Sequence, residues 1–185
     1  GTAPWFPMAL FGLFAVGCVA DARRRNPPKA KPRSMSFQVA PDSDLWAPAR
    51  QAAAEWSYAL GRPITVTPDG DIPIFRIPEG VLCSPEQPVP EGMHRFGCAL
   101  DPGTPDARIE ISAIVPPDRL LKTLRHEMGH HLHGDGEHLD DPDALMAPNA
   151  TRATLTPMDV KWVCKKFDCD PPPLSPTLAA ELPLP

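Results

Sequence analysis

The densest run of groups able to do chemistry is His126-Glu127-Met128-Gly129-His130-His131-Leu132-His133-Gly134-Asp135-Gly136-Glu137-His138. Its core has the form His-Glu-x-x-His. On a helix that turns about 100° per residue, His126 and His130 lie only about 40° apart. Both imidazoles can therefore approach one ion at about 2.0–2.1 Å. Glu127 projects from the neighbouring strip of the helix, near enough to touch a water on that ion without being a ligand. The motif by itself also occurs by chance on metal-free surface helices. Its surroundings favour chemistry here, because a Gly-rich break follows the helix and then comes another histidine. Three protein ligands with a fourth position left to water is the arrangement of a catalytic zinc. Candidates for the third donor are His138, Asp135 and His133, the last because it can still be helical and point near the other two.

The elements around this run can be read from period and punctuation. Leu120, Leu121, Leu124, Met128 and Leu132 fall within about a third of the helix circumference, facing away from the histidines. Pro116 and Pro117 mark the helix start, Asp118 suits its first turn, and Gly134 and Gly136 end it. Leu45 to Leu60 has a second helical period, with Asp44 as its cap and Gly61 as its stop. Short strands are expected at Met35–Val39, Ile64–Thr67, Ile72–Ile77 and Arg108–Ile114. Pro73 points to an edge position for the third of these. Val81 to Gly97 reads as an irregular loop. A last helix starts at Thr156 with Pro157 in its first turn, Asp159 completing a capping box and Leu155 stapled to Val160, and runs to about Phe167. Trp46, Trp56, Trp162, Met128 and Met158 read as packing residues, His131 as a helix-surface histidine and His94 as a solvated loop residue.

These residues resemble the metzincins and, among them, the matrixins, whose extended motif is H-E-x-x-H-x-x-G-x-x-H followed by a Met-turn. The first five positions are intact. Beyond Leu132 the chain departs: His133 stands at the glycine position, Gly136 at the third-histidine position, and His138 comes two residues late. We read a two-residue expansion of the turn, with His138 as third ligand and Asp135 or His133 as alternatives. Asp141-Pro142-Asp143-Ala144-Leu145-Met146-Ala147-Pro148 is similar to the Met-turn, with Met146 beneath the metal. Pro148 occupies the place of a tyrosine that some members carry. Leu155 to Val160 is similar to the start of the last matrixin helix. The resemblance implies an α+β fold: a small twisted mixed sheet on a long active-site helix, then a Met-turn and a C-terminal helix. It also implies one zinc ion and a metalloendopeptidase. Peptide bonds of a peptide or protein substrate would be cut by a metal-activated water with Glu127 as general base. No cysteine-bearing inhibitory pro-segment is found. Two rival readings remain: a non-catalytic metal-binding or interaction module on the same scaffold, and a structural zinc with Asp135 as a fourth ligand. Asp135, Glu137, Asp140, Asp141 and Asp143 also offer the hard oxygen donors of a Ca2+ site. A solvated acidic loop is the simpler reading of them.

Composition bounds the rest. The chain has 185 residues, 42 % hydrophobic and 22 % charged, which suits one globular domain. Its net charge of −5, with both signs scattered, provides no basic field for nucleic acid. Residues 1–18 read as an export segment, an apolar run containing Trp5 and ending in Phe14-Ala15-Val16-Gly17-Cys18. That ending resembles a bacterial lipobox, which implies a lipid anchor on Cys18. The expected setting is a bacterial cell-envelope lipoprotein or a secreted protein, monomeric, with the membrane reached through the lipid. Residues 19–34 read as a basic, Pro-rich tether, 35–169 as the domain, and 170–185 as a disordered Pro-rich tail. Without Cys18, four cysteines remain, an even number suited to two disulfides in an oxidising compartment. Neighbour pairing, Cys83–Cys98 and Cys164–Cys169, closes the shortest loops.

Overall fold

The computed structural model describes residues 30–78 and 95–172. Every described strand and helix lies within the unit Lys31–Pro185. The expected export segment, Cys18, Cys83, His94 and most of the tail lie outside the described residues. Among the described residues no helix is long and apolar enough to cross a membrane.

Eight elements follow in order: β1 (Met35–Gln38), α1 (Trp46–Leu60), β2 (Ile64–Thr67), β3 (Ile72–Ile77), β4 (Gly97–Leu100), β5 (Arg108–Ser112), α2 (Pro117–His133) and α3 (Pro157–Val163). The strands form one mixed sheet in the order β2-β1-β3-β5-β4. β2, β1, β3 and β5 run parallel, and β4 lies antiparallel along β5 at the edge. The fold is thus the expected α+β arrangement of a mixed sheet with a long helix. Phe37, Ile109 and Ile111 from the sheet share one core with Trp56 of α1 and Leu124, Met128 and Leu132 of α2.

Several local expectations change in the folded chain. Pro73 lies in an interior strand, not at an edge. The sheet tolerates it because β3 pairs with β1 only through Ile72 and Pro73, then with β5 from Ile74 onward. Pro73 sits at this handover, where a missing N–H costs little. Asp44 does not cap α1, which begins at Leu45 without a side-chain cap. Its carboxylate instead takes the Arg76 guanidinium of β3 at 2.6 Å, and that bond holds the Asp44 carboxyl below its ordinary range. Gly61 ends α1 as expected, with φ at 63°. β4 begins at Gly97, the last residue of the expected irregular loop, and pairs antiparallel with β5, the next element along the chain. β5 itself stops at Ser112 and α3 at Val163, earlier than their patterns suggest. Met158 is exposed rather than packed. His131 is buried, not on the surface; its Nε2–H donates to the Arg108 carbonyl at 3.0 Å.

Residues beyond the expected domain edges also engage. The Asp168 amide donates to the Pro32 carbonyl at 2.9 Å, and Arg33 pairs with the Asp168 carboxylate at 2.7 Å. Cys164 and Cys169 form the expected disulfide. Cys98 is disulfide-bonded as well.

One buried ion pair joins the two long helices. Arg125 of α2 clasps Glu55 of α1 through both Nε and Nη2, the latter at 2.5 Å from Oε1. Trp56 Nε1 donates to the Arg125 carbonyl at 2.9 Å beside it. Breaking a buried pair from one side leaves an uncompensated charge. Glu55→Ala should therefore cost about 3–5 kcal/mol in urea unfolding, whereas the double change Glu55→Met with Arg125→Met should cost markedly less. Equal losses for both variants would show that packing, not charge, holds the helices together.

Candidate metal centre

α2 carries the first histidines into place because its apolar stripe is spent on the core. Leu120, Leu124, Met128 and Leu132 are buried, which rolls His126, Glu127 and His130 toward the space under β4. His130 Nε2 lies 3.2 Å from His126 Nε2, and His126 Nε2 lies 3.3 Å from His138 Nε2. Among the described residues, His126, His130 and His138 alone form a group of three donors able to hold a metal, with all ligand atoms within 4.8 Å of one another. Donors at about 2.0–2.1 Å from a tetrahedral ion are separated by about 3.3–3.4 Å. The observed spacings match that edge, so the donor set fits zinc. The acidic residues 135–143 form no such group among the described residues.

Protonation also suits a metal. His126 Nδ1 lies 2.8 Å from the Leu145 carbonyl and must donate its hydrogen there, leaving the Nε2 lone pair for the cluster. Burial lowers the proton affinity of His126, with the Leu145 carbonyl opposing and nearby Lys122 assisting. His130 is pushed down to about 3 by burial and then by its neighbours His126 and His138. Burial, followed by His126, also lowers His138. Three neutral imidazoles are the form that binds a divalent ion.

The turn that delivers His138 is built by the two residues that competed with it. Gly134 closes α2 at φ 86°. The Asp135 carboxylate then accepts from His133 Nδ1 at 2.7 Å and from the Glu137 amide at 3.1 Å. The His133 ring lies flat on Trp162, with centroids 3.7 Å apart and planes inclined by 3°. His133 and Asp135 thus brace the longer turn and stay out of the histidine cluster. The Leu139 amide bonds to the Met146 carbonyl at 2.9 Å, tying the turn to the segment below.

Met146 is fully buried against α2 at Gly129, where a Cβ would overlap its Sδ. The expected capping box of α3 is present, and its acid does more than cap. The Asp159 carboxylate, itself fully buried, accepts from the amides of Leu145 at 3.2 Å and Met146 at 2.9 Å. The pattern Thr156-x-x-Asp159 marks the box, but nothing in it reveals this second grip.

No protein-family model and no curated protein matches the sequence. Among solved structures the chain is similar to archaemetzincin from Methanopyrus kandleri. The TM-score is 0.47 at 15 % identity, covering 76 % of this chain and 98 % of that one. No residue's role is taken from this likeness.

Glu127 shares a cavity of about 460 Å³ with the three histidines. β4 passes directly over it, and Gly97 makes this approach feasible: a Cβ there would lie 2.8 Å from Glu127 Cγ. Burial raises the Glu127 carboxyl to about 7, against the opposing pull of the Ala99 backbone and Arg95. Pro148, the last residue of the Met-turn-like segment, also lines the cavity, as do Arg95 and Asn149, which no motif in the sequence marks as site residues.

Two outcomes follow from these contacts. Gly129→Ala should displace Met146 and destabilise the protein by about 1–3 kcal/mol through overpacking, read as a lower urea midpoint. In metal-free protein, a carboxyl raised from 4.5 to about 7 stabilises the fold at low pH and loses that contribution as pH rises through about 7. Replacing Glu127 with Gln should then gain up to about 3 kcal/mol at pH 8 and little at about pH 4. Melting both proteins at the two pH values checks the sign. The lowered histidines act in the opposite sense, losing stability as pH falls below 6.5, but both proteins share them.

Proposed function

We propose that the chain is a zinc-dependent endopeptidase, with His126, His130 and His138 as metal ligands and Glu127 as the general base. The observation that carries this reading is the cluster of three imidazoles, with His126 Nε2 at tetrahedral-edge spacing from both partners and all donors within 4.8 Å, beside a buried carboxyl in the same cavity. Zinc, when bound, supplies Lewis acidity and a water acidified toward neutral pH. Glu127 takes the proton of the attacking water and returns it to the leaving amine. Its raised proton affinity in the metal-free protein brings donation and acceptance closer to balance near neutrality. Among the described residues β4 is the edge strand of the sheet and lines the cavity, a position at which an extended peptide can add by strand pairing. This favours a peptide or protein substrate over a compact small molecule.

The finer placement in the matrixin-like group is part of the same proposal. Support comes from Met146 packed on Gly129 beneath the histidines and from the capped helix at Thr156. Export belongs to it too, with secretion or a lipid anchor on Cys18 at a bacterial envelope. The Cys164–Cys169 disulfide fits an oxidising compartment.

Metal analysis with a peptide-cleavage assay tests the reading. One zinc per chain and cleavage within a blocked peptide are expected. Glu127→Gln should keep the zinc and lower kcat by about 10²–10⁴. His138→Ala should lose zinc affinity, while His133→Ala, which removes only a brace of the turn, should retain zinc but melt at lower temperature. Stoichiometric zinc without turnover on a broad peptide library would leave a metal-binding module instead. Zinc binding unaltered by His138→Ala would remove that residue from the ligand set.

A further inference from the structure

The cavity wall after Met146 is irregular chain, yet α2 holds it at two points. Lys122 and Arg125 stand one turn apart on the helix that carries His126. Lys122 Nζ donates to the Ala150 carbonyl, and Arg125 Nη1 donates to the Ala153 carbonyl at 2.6 Å. Asp159 fixes the near end of the same segment at Leu145 and Met146. Between these anchors Pro148 and Asn149 line the cavity. Asn149 adopts φ 58°, a left-handed conformation that asparagine accepts more readily than most residues other than glycine. The Ala150 amide closes a turn on Ala147 at 3.2 Å around it. The carbonyl of the residue immediately after Asn149 is the one that the Lys122 ammonium grips. Arg125 is already committed to Glu55, so Lys122 is the cation whose main contact is this wall.

We propose that Lys122 is a positioning residue for the peptidase reaction: its bond to the Ala150 carbonyl holds Pro148 and Asn149 as a fixed wall of the substrate cleft. The substrate part of this inference rests on the peptidase reading; the structural part rests on the hydrogen bond alone. Lys122 also sits close enough to His126 to lower its proton affinity. A purely electrostatic role would act through metal binding, whereas a wall brace acts on substrate binding.

The test compares wild type, Lys122→Met and Lys122→Arg in the full chain. Three quantities are read: amide hydrogen exchange of residues 147–151, zinc affinity by chelator competition, and KM and kcat on a blocked fluorogenic peptide. Losing one charge-assisted hydrogen bond should speed exchange in 147–151 about tenfold and raise KM by a similar factor. Zinc affinity and kcat should stay near wild type, and Lys122→Arg should restore slow exchange and low KM. Unchanged exchange in Lys122→Met overturns the proposal. So does a large change in zinc affinity that accounts for the whole loss of activity. If Lys122→Met fails to fold, Lys122→Gln is read in the same way. If wild type with stoichiometric zinc cleaves no peptide, the peptidase reading falls, and the exchange measurement still decides whether Lys122 holds the wall.

Discussion

The hydrogen bond from His126 Nδ1 to the Leu145 carbonyl is the contact through which the scaffold controls the site. It sets the tautomer, aims Nε2 at the other histidines and fixes the height of the chain beneath α2. The carbonyl can serve this purpose because its own segment cannot drift: Asp159 holds the amides of Leu145 and Met146 from the other side. A buried carboxylate spent wholly on backbone amides and a threonine hydroxyl is costly to remove and stiff while present. The C-terminal helix thus reaches the histidine cluster through one acid, one peptide unit and one imidazole. Met146 completes the arrangement by filling the gap that Gly129 leaves on α2.

The extended turn after His130 shows how a longer connection can keep the same endpoint. Extra chain normally costs entropy and precision. Here His133 stacks on Trp162 and hands its Nδ1 hydrogen to Asp135, which also receives the Glu137 amide. His133, Asp135 and Glu137 each acquire a partner there. His138, more exposed than the other two histidines, arrives at the cluster from a braced loop rather than from a helix.

Much of the site was legible because helix period and chemistry agree. The spacing of His126 and His130 requires a helix, and the leucine stripe requires that helix to face its histidines outward. The choice of His138 followed from a turn length that sequence could only treat as an expansion. What escaped depends on partners that periodicity does not reveal. β4 is four residues, one of them glycine, and becomes a strand only by pairing with β5 and crossing Glu127. His131 looks like surface on a polar helix face, yet the Arg108 carbonyl and the Phe37 ring receive it inside. Asp44 sits at a cap position but finds a stronger partner in Arg76. Nothing in the sequence singles out Lys122, whose ammonium meets the Ala150 carbonyl only in the folded chain.

Where the domain begins and ends in space is set by the pairing of Pro32 with Asp168, reinforced by Arg33, and by the Asp170 amide on the Leu60 carbonyl. Entry and exit of the chain therefore meet at a single seam, as in domains that accept circular permutation. Load applied to either terminal segment enters at that junction. Tension on the residues just before β1 is therefore carried into β1 and into the disulfide-closed loop, which Lys31 and Arg33 hold at the Cys164 carbonyl and the Asp168 carboxylate.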